Sequence, residues 1–361
     1  MIVVYILIAI LMFGLLIAVH EFGHFAAAKL MGVRVNEFAI GMGPRLLHRK
    51  RGETEYTLRL FPIGGFCAME GEDEDSQDPR AMSNQPAWRR LIILVAGAFM
   101  NFVTGVLVFF CLFLFSASPI ALTDMVITPT IDSLMTGFPL EGADGLLPGD
   151  RIVKVDGHQI YLREDIDLFL GRAGKTVDLV LERDGEKILR KDFPLQKQNY
   201  LVDGKERLMY GLVFETKTAD FGDKLQLTLY NSIDTVRLVW VSLGDLVTGA
   251  VGLRDMSGPV GIVDMIGQVG SNAESFALAA RGILYFVAFI AINLAVMNLL
   301  PIPALDGGQI LFLLVDKVYS LFSKRHMNQK YLGYINIAGF FLLIALMVVV
   351  ALSDVLKLFG R

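Results

Sequence analysis

The stretch His20-Glu21-Phe22-Gly23-His24 carries the residue types and spacing that point most directly to chemistry. On a helix, side chains four apart lie one turn above each other on one face. His20 and His24 are therefore spaced as two ligands of a zinc ion, and Glu21 is placed to take a proton from a water that the metal activates. A catalytic zinc keeps three protein ligands, so the third must be another histidine or a carboxylate from elsewhere. Of the five histidines in 361 residues, His48, His158 and His326 stand in polar segments without partners at ligand spacing. Asp306 is the candidate: it ends an apolar stretch, where a carboxylate is costly unless it has a partner. Helix capping is its competing role, and a metal-free helix end at the interface is the competing account of the histidine pair. Asn298 could donate to an oxyanion or to substrate backbone, or else form a helix–helix hydrogen bond. Pro301 and Pro303 break the helix, which at membrane depth is tolerated only within protein or beside a cavity.

The elements that position these residues are apolar. Hydrophobic residues make up 54% of the chain and charged residues 19%, too apolar for an ordinary soluble domain. Four uncharged stretches, Met1–Val19, Leu91–Thr123, Gly282–Leu305 and Tyr331–Ser353, are each long enough to enter a bilayer core of roughly 30 Å. The first has no positive n-region and would carry the histidine motif away if cleaved, so it reads as a span and not as a signal peptide. The connection after span one holds Lys29, Arg34, Arg45, Arg49, Lys50, Arg51 and Arg59, which makes it cytoplasmic by the positive-inside rule. Lys317, Lys324, Arg325 and Lys330 do the same for the connection after span three. Spans one and three then run in the same direction, and the histidines and Asp306 reach the same depth, near the cytoplasmic face. Cys67 and Cys111 fall in different segments, so no disulfide framework is implied.

Between spans one and two, Thr54–Leu60 alternates, with Tyr56, Leu58 and Leu60 on one face, and is followed by Pro62 and the turn residues Gly64-Gly65. A second strand, Phe66–Met69, closes a hairpin with it and offers an edge on which an extended substrate could pair. Ala96-Gly97-Ala98 and Asn101 in span two read as helix packing. The outside segment is a small β-rich domain: Gly145–Gly157 is a turn, a strand and an Asp-Gly turn, Asp165–Leu170 suits a short helix, and Asp184-Gly185 joins a hairpin. Apolar positions from Leu225 to Val247 recur at helical spacing, as on an amphipathic helix lying on the membrane, and Ser257–Ile262 breaks that helix.

Taken together, these motifs resemble the site-2 protease family of intramembrane zinc metalloproteases, in its bacterial regulator of sigma-E protease (RseP-like) branch. His20-Glu21-x-x-His24 is similar to the family's metal motif, and Asn298-x-x-Pro301-x-Pro303-x-Leu305-Asp306-Gly307 to its second motif. The resemblance implies that Asp306 is the third ligand and that Asn298 contacts substrate. Gly41-Met42-Gly43-Pro44 and Pro62–Phe66 look like the family's loop and membrane-reentrant hairpin, and Gly145–Gly157 looks like part of a PDZ domain. Ala98 stands where the family often has proline and Gln309 where it often has histidine; neither change removes a ligand.

The expectation is a polytopic α-helical membrane protein with four transmembrane helices, a cytoplasmic-side β-hairpin and one inserted PDZ-like domain. Its segments are 1–31 (span one), 32–88 (hairpin loop), 89–120 (span two), 121–217 (PDZ-like), 218–274 (amphipathic), 275–310 (span three), 311–330 (cytoplasmic loop) and 331–357 (span four). The expected activity is zinc-dependent cleavage of single-span membrane proteins, such as an anti-sigma factor after a first cut, with Glu21 as general base. Zn2+ would be held by His20, His24 and Asp306. Substrate would be held by Asn298, Pro301, Pro303, Gly64, Gly65, Tyr56 and Leu58, with the PDZ-like domain contacting trimmed ends. The expected setting is a bacterial inner membrane with both termini and the PDZ-like domain outside; no nucleic-acid partner is expected. One rival is a catalytically silent PDZ-bearing membrane scaffold. A second, a metal transporter, needs ionisable residues along the spans, and the four stretches contain none.

Overall fold

The computed structural model describes residues 2–72, 76–118, 122–202, 204–252, 256–323 and 329–359. Lys324 and Arg325 of the third connection, and 73–75 of the acidic run, lie outside the described residues. In chain order the elements are α1 (Ile2–Leu30), β1 (Val35–Arg51), β2 (Thr54–Met69), α2 (Ala87–Phe115), β3 (Met125–Leu134), β4 (Arg151–Val155), β5 (His158–Gln159) and α3 (Arg163–Leu170). They continue with β6 (Val177–Arg183), β7 (Glu186–Phe193), β8 (Gln198–Val202), β9 (Lys205–Met209), β10 (Leu212–Thr218), α4 (Phe221–Thr248), α5 (Pro259–Asn272), α6 (Phe276–Asn298), α7 (Asp306–Ser323) and α8 (Gln329–Phe359). Among the described residues, four helices are long and apolar enough to cross a membrane: Val4–Leu30, Ala87–Phe115, Phe276–Asn298 and Tyr331–Lys357. They coincide with the four expected spans. The chain divides into two compact units, Met1–Phe109 with Thr235–Arg361, and Phe110–Asp234.

In the first unit, outward residues of α8 such as Phe340, Phe341 and Leu342 are more than half exposed, as side chains facing hydrocarbon are. Apolar burial between helices gains little in lipid, so cohesion comes from close backbone approach. Gly23 on α1 meets α2 in this way: a Cβ there would lie 2.9 Å from the Gly97 Cα and closer still to the Ala96 carbonyl oxygen. Beneath this contact Ala28, Val33 and Val35 pack with Cys67, Ile93 and Leu313, which joins α1, β1, β2, α2 and α7 in one cluster.

The hairpin differs from the expectation. Thr54–Leu60 does not pair with Phe66–Met69; the first half of β1 lies between them. Phe38 is opposite both Cys67 and Tyr56, Ala39 is opposite both Phe66 and Thr57, and the second half of β1 returns along the outer side, with Leu47 opposite Leu58. Both strands fold back on themselves, at Gly41 and Gly43 (φ +85° and +87°) and at Gly64 (φ +90°), conformations that glycine adopts without steric cost. The result is four strand segments in the order 65–69, 35–42, 54–61, 45–51. The segment Val35–Ile40 shows no apolar–polar alternation, and this hid it from pattern reading.

Two further segments depart from expectation. The connection after span three is helical: α7 runs from Asp306 to Ser323, with Ile310 and Leu313 turned to the interior cluster. Ser257–Ile262 ends one helix but also starts another. Pro259 stands in the first turn of α5, where its missing N–H costs nothing. Asp354 of α8 caps that turn, accepting from the N–H groups of Gly258 and Gly261 at 2.8 and 2.9 Å.

The second unit holds an antiparallel sheet in the order β10-β3-β4-β6-β7, with β5 paired to β4. Its core is Ile131, Leu146, Ile152, Leu179 and Leu181 under Ile166 and Phe169 of α3. Both Asp-Gly turns form as expected: Asp156-Gly157 and Asp184-Gly185 have positive φ at both residues, which is what tight two-residue hairpins require. The hairpin β8–β9 was not expected.

Candidate metal centre and active site

α1 is one unbroken helix, so His20 and His24 project from the same face one turn apart. The third group comes from the loop that follows α6. Residues 299–305 form a compact turn in which Leu305 donates to the Ile302 carbonyl at 3.2 Å and Gly308 donates to that of Leu305 at 3.0 Å. Asn336 of α8 accepts from the Ala304 N–H at 3.3 Å, and Pro303 packs against Gly339. Gly307 and Gly308 permit the fold-back, since a Cβ on either would overlap the carbonyl groups of residues 299, 300 and 302. Asp306 therefore starts α7 with its carboxylate aimed at the two imidazoles.

His20 Nε2, His24 Nε2 and Asp306 Oδ2 lie 3.1, 3.3 and 3.4 Å from one another. Those separations are close to the edge of a tetrahedron whose bonds are about 2.0–2.1 Å long, the length of zinc bonds to nitrogen and oxygen. Asp306 Oδ2 is buried and accepts no hydrogen bond, a costly state for an anionic oxygen that a cation relieves. The donor set, two imidazoles and one carboxylate with a fourth position left, is that of a catalytic zinc. His24 Nδ1 lies 2.8 Å from the Ile93 carbonyl; donating its proton there fixes the tautomer and turns Nε2 to the metal position.

The structure also brings in residues that were read otherwise. Asn101 is 1% exposed, and its amide lies 3.5 Å from His20 Nδ1. The amide of Asn298 lies 3.4 Å from the same nitrogen. An amide turned by 180° presents oxygen in place of nitrogen, so either can accept the Nδ1 proton. The Asn101 oxygen, buried without a donor, would gain one. Gly97 is the floor of the site: a Cβ there would lie 2.7 Å from His20 Cε1 and closer to His24 Nε2. Ala96-Gly97-Ala98 and Asn101 were visible as helix packing, but periodicity does not say which helix face meets the ligands.

Glu21 shares with His24, Asp306, Cys67, Glu72 and Gln309 a cavity of about 390 Å³. Gly65 lies against it, since a Cβ there would be 3.5 Å from Glu21 Cγ. Gly64 sits at the fold-back of β2. Tyr56 lies in an interior strand segment, its ring 5.9 Å from that of Phe25 and 6.4 Å from that of Phe38. Leu58 is exposed on the same segment, and Pro301 is exposed on the loop before Asp306. The strand segment beside the cavity is instead 65–69.

Residues 8–346 match peptidase family M50, and the chain belongs to that family, the site-2 protease family. A protein of Clostridium acetobutylicum whose name assigns it provisionally to the zinc metalloproteases is 37% identical over 354 residues, 97% of each chain. A similarly named protein of Clostridium perfringens is 36% identical over 98% of each. Zinc metalloprotease RasP of Geobacillus kaustophilus is 27% identical over 97% of each. The chain is thus a multi-pass membrane metalloprotease with zinc as its cofactor.

Zinc held by these three ligands would supply a Lewis acid that makes water nucleophilic near neutral pH and polarises a carbonyl. The protein's own part is to hold Nε2 of both imidazoles toward one point, through Ile93 and the two amides, and to keep Glu21 within the same cavity. From there Glu21 can serve as a general base, taking a proton from an attacking water and returning it to a leaving amine.

Proposed function

We propose that the chain is an intramembrane endopeptidase that cuts single-span membrane proteins within or beside the bilayer, anti-sigma factors trimmed by an earlier cut among them. One observation carries this reading: the metal ligands stand on the C-terminal part of one candidate span and just beyond another, so the centre is built from bilayer-length helices. The strand segment 65–69 lies beside Glu21 and, among the described residues, has no strand on its second edge. A helical substrate hides its carbonyls in its own hydrogen bonds and must become extended before water can attack; an open edge next to the base holds such a strand. Asn298, whose amide lies 3.4 Å from His20 Nδ1, would contact its backbone.

The Phe110–Asp234 unit supports a PDZ-like reading. β10 is an edge strand on which a chain end could pair, and Tyr210, just before it, donates to the Leu170 carbonyl of α3 at 2.8 Å, which ties the end of that helix to the start of the edge. The setting that fits the basic connections is a bacterial inner membrane with this unit outside and the metal centre toward the cytoplasm.

The test is to reconstitute the protein in liposomes with tagged single-span substrates and with a soluble extended peptide, and to compare wild type with Glu21→Gln and Asp306→Asn. Cleavage of the single-span substrates that both variants abolish is the expected result. Cleavage that survives in both variants, or that is confined to the soluble peptide, would overturn the reading.

A further inference from the structure

Along an extended strand, N–H groups point alternately to one edge and the other. In the segment 65–69 the direction is fixed from both sides. Glu70, just past its end, turns its N–H inward to the Arg34 carbonyl at 2.9 Å. Cys67 and Met69, of the opposite parity, turn theirs outward. Of these two outward N–H groups, that of Met69 is already taken: it donates to Glu72 Oε2 at 3.3 Å. A side-chain carboxylate thus occupies one of two consecutive outward donors of the edge beside the metal centre. Those donors are two residues apart, about 6.6–6.8 Å along a strand, which is also the interval between carbonyls that an extended peptide offers to one neighbour.

We propose that Glu72 is a stand-in for substrate backbone: it holds the Met69 N–H in the resting enzyme and must withdraw when a substrate strand pairs with 65–69. The proposal rests on the strand-pairing reading given above and deepens it. A substrate carbonyl that takes the Cys67 N–H sets the chain beside the cavity, and the next one along takes the Met69 N–H and displaces Glu72. That displacement sets a cost that every substrate meets, and so makes Glu72 a determinant of KM. Glu72 touches no reacting atom in this scheme; it is a positioning residue for the edge.

The test uses the full-length protein in detergent with two zinc-directed inhibitors, acetohydroxamate and a peptidyl hydroxamate with three or more backbone amides. Glu72→Ala removes the internal acceptor, and Glu72→Gln keeps an oxygen that can still accept. The expected result is that Glu72→Ala tightens the peptidyl inhibitor about three- to tenfold, Glu72→Gln tightens it less, and acetohydroxamate binds all three proteins alike. For a single-span substrate the same gain appears in KM and not in kcat. Peptidyl binding that Glu72→Ala leaves unchanged or weakens, in a protein that still prefers the peptidyl inhibitor, overturns the role of Glu72 alone. A wild-type protein that binds the peptidyl inhibitor no better than acetohydroxamate overturns strand pairing itself, and this proposal with it.

Discussion

Two aspartates, one in each unit, carry buried carboxylate oxygen and are handled in opposite ways. Asp150, fully buried in the second unit, has both oxygens satisfied: Arg183 donates from Nε at 2.6 Å and from Nη2 at 2.8 Å, and the Leu147 N–H donates at 2.8 Å. Arg183 also reaches the carbonyls of Ala143 and Gly145, so the pair ties the 143–150 loop to β6, and the carboxylate holds the guanidinium charged beyond its ordinary range. Asp306 has an oxygen with no donor at all, facing two imidazole nitrogens. A carboxylate saturated by a bidentate arginine is a structural clamp; one left short of donors beside two other ligands is kept open for a cation. Burial alone does not separate the two roles, and counting donors does.

The largest effects should come from the open site. Asp306→Asn should remove most of the zinc, read by metal analysis of purified protein, and abolish cleavage, while hydrogen exchange in α1 and α2 stays slow. Glu21→Gln should keep its zinc and still lose on the order of 10²–10⁴ in rate. If Asp306→Asn keeps full zinc, the two aspartates are not different in kind. Asp150→Asn should do the reverse. It leaves zinc stoichiometry as in wild type and destabilises the second unit by about 3 kcal/mol, the cost of leaving a largely buried guanidinium without its partner. Faster hydrogen exchange across β4 and β6 is the readout.

Asn101 sharpens the contrast from within the metal centre. Its buried oxygen is also short of a donor, and His20 Nδ1 is the nearby group that can supply one. Asn101→Leu should weaken zinc about 10- to 100-fold, as loss of an outer hydrogen bond to a ligating histidine does, measured by competition with a chelator. Asn101→Asp, which keeps an acceptor, should restore most of the affinity. Equal zinc affinity in Asn101→Leu and wild type would return this residue to helix packing.

What could be read from the sequence, and what could not, follows the same division. The four spans are written in long uncharged runs, and His20, Glu21, His24 and Asp306 in residue types that have little reason to stand at the ends of such runs. The Asp-Gly turns are local and formed where expected. The order of the strand segments was hidden because Val35–Ile40 carries no alternation, while Thr54–Leu60 alternates clearly and drew the pairing to itself. Gly97 and Asn101 were visible but ambiguous, since small residues and an amide in a span serve packing or a site equally well until the opposite helix is known. Glu72 was hidden inside an acidic run that reads as a solvated loop.

The smallest effect tests whether saturation matters when the carboxylate is only partly covered. At the start of α4, Asp220 and Asp223 cap each other reciprocally: the Asp220 N–H donates to Asp223 Oδ2 at 3.1 Å, and the Asp223 N–H donates to Asp220 Oδ1 at 2.8 Å. Lys217 donates to Asp223 Oδ1 at 2.7 Å and holds that carboxyl below its ordinary range. Because the folded state depresses this pKa, the contribution is full above the unfolded value near 3.8 and disappears as pH falls through the lower folded value. Lys217 is 45% exposed, so the pair is screened by solvent, and Asp223→Asn should cost only about 0.5–1 kcal/mol at neutral pH. The difference between variant and wild type should shrink below pH 4 and should shrink with added salt. The effect of Asp150→Asn should barely respond to salt, since that pair is largely shielded from solvent. Equal salt sensitivity in the two variants would mean that coverage, and not the number of donors, sets what a satisfied carboxylate contributes here.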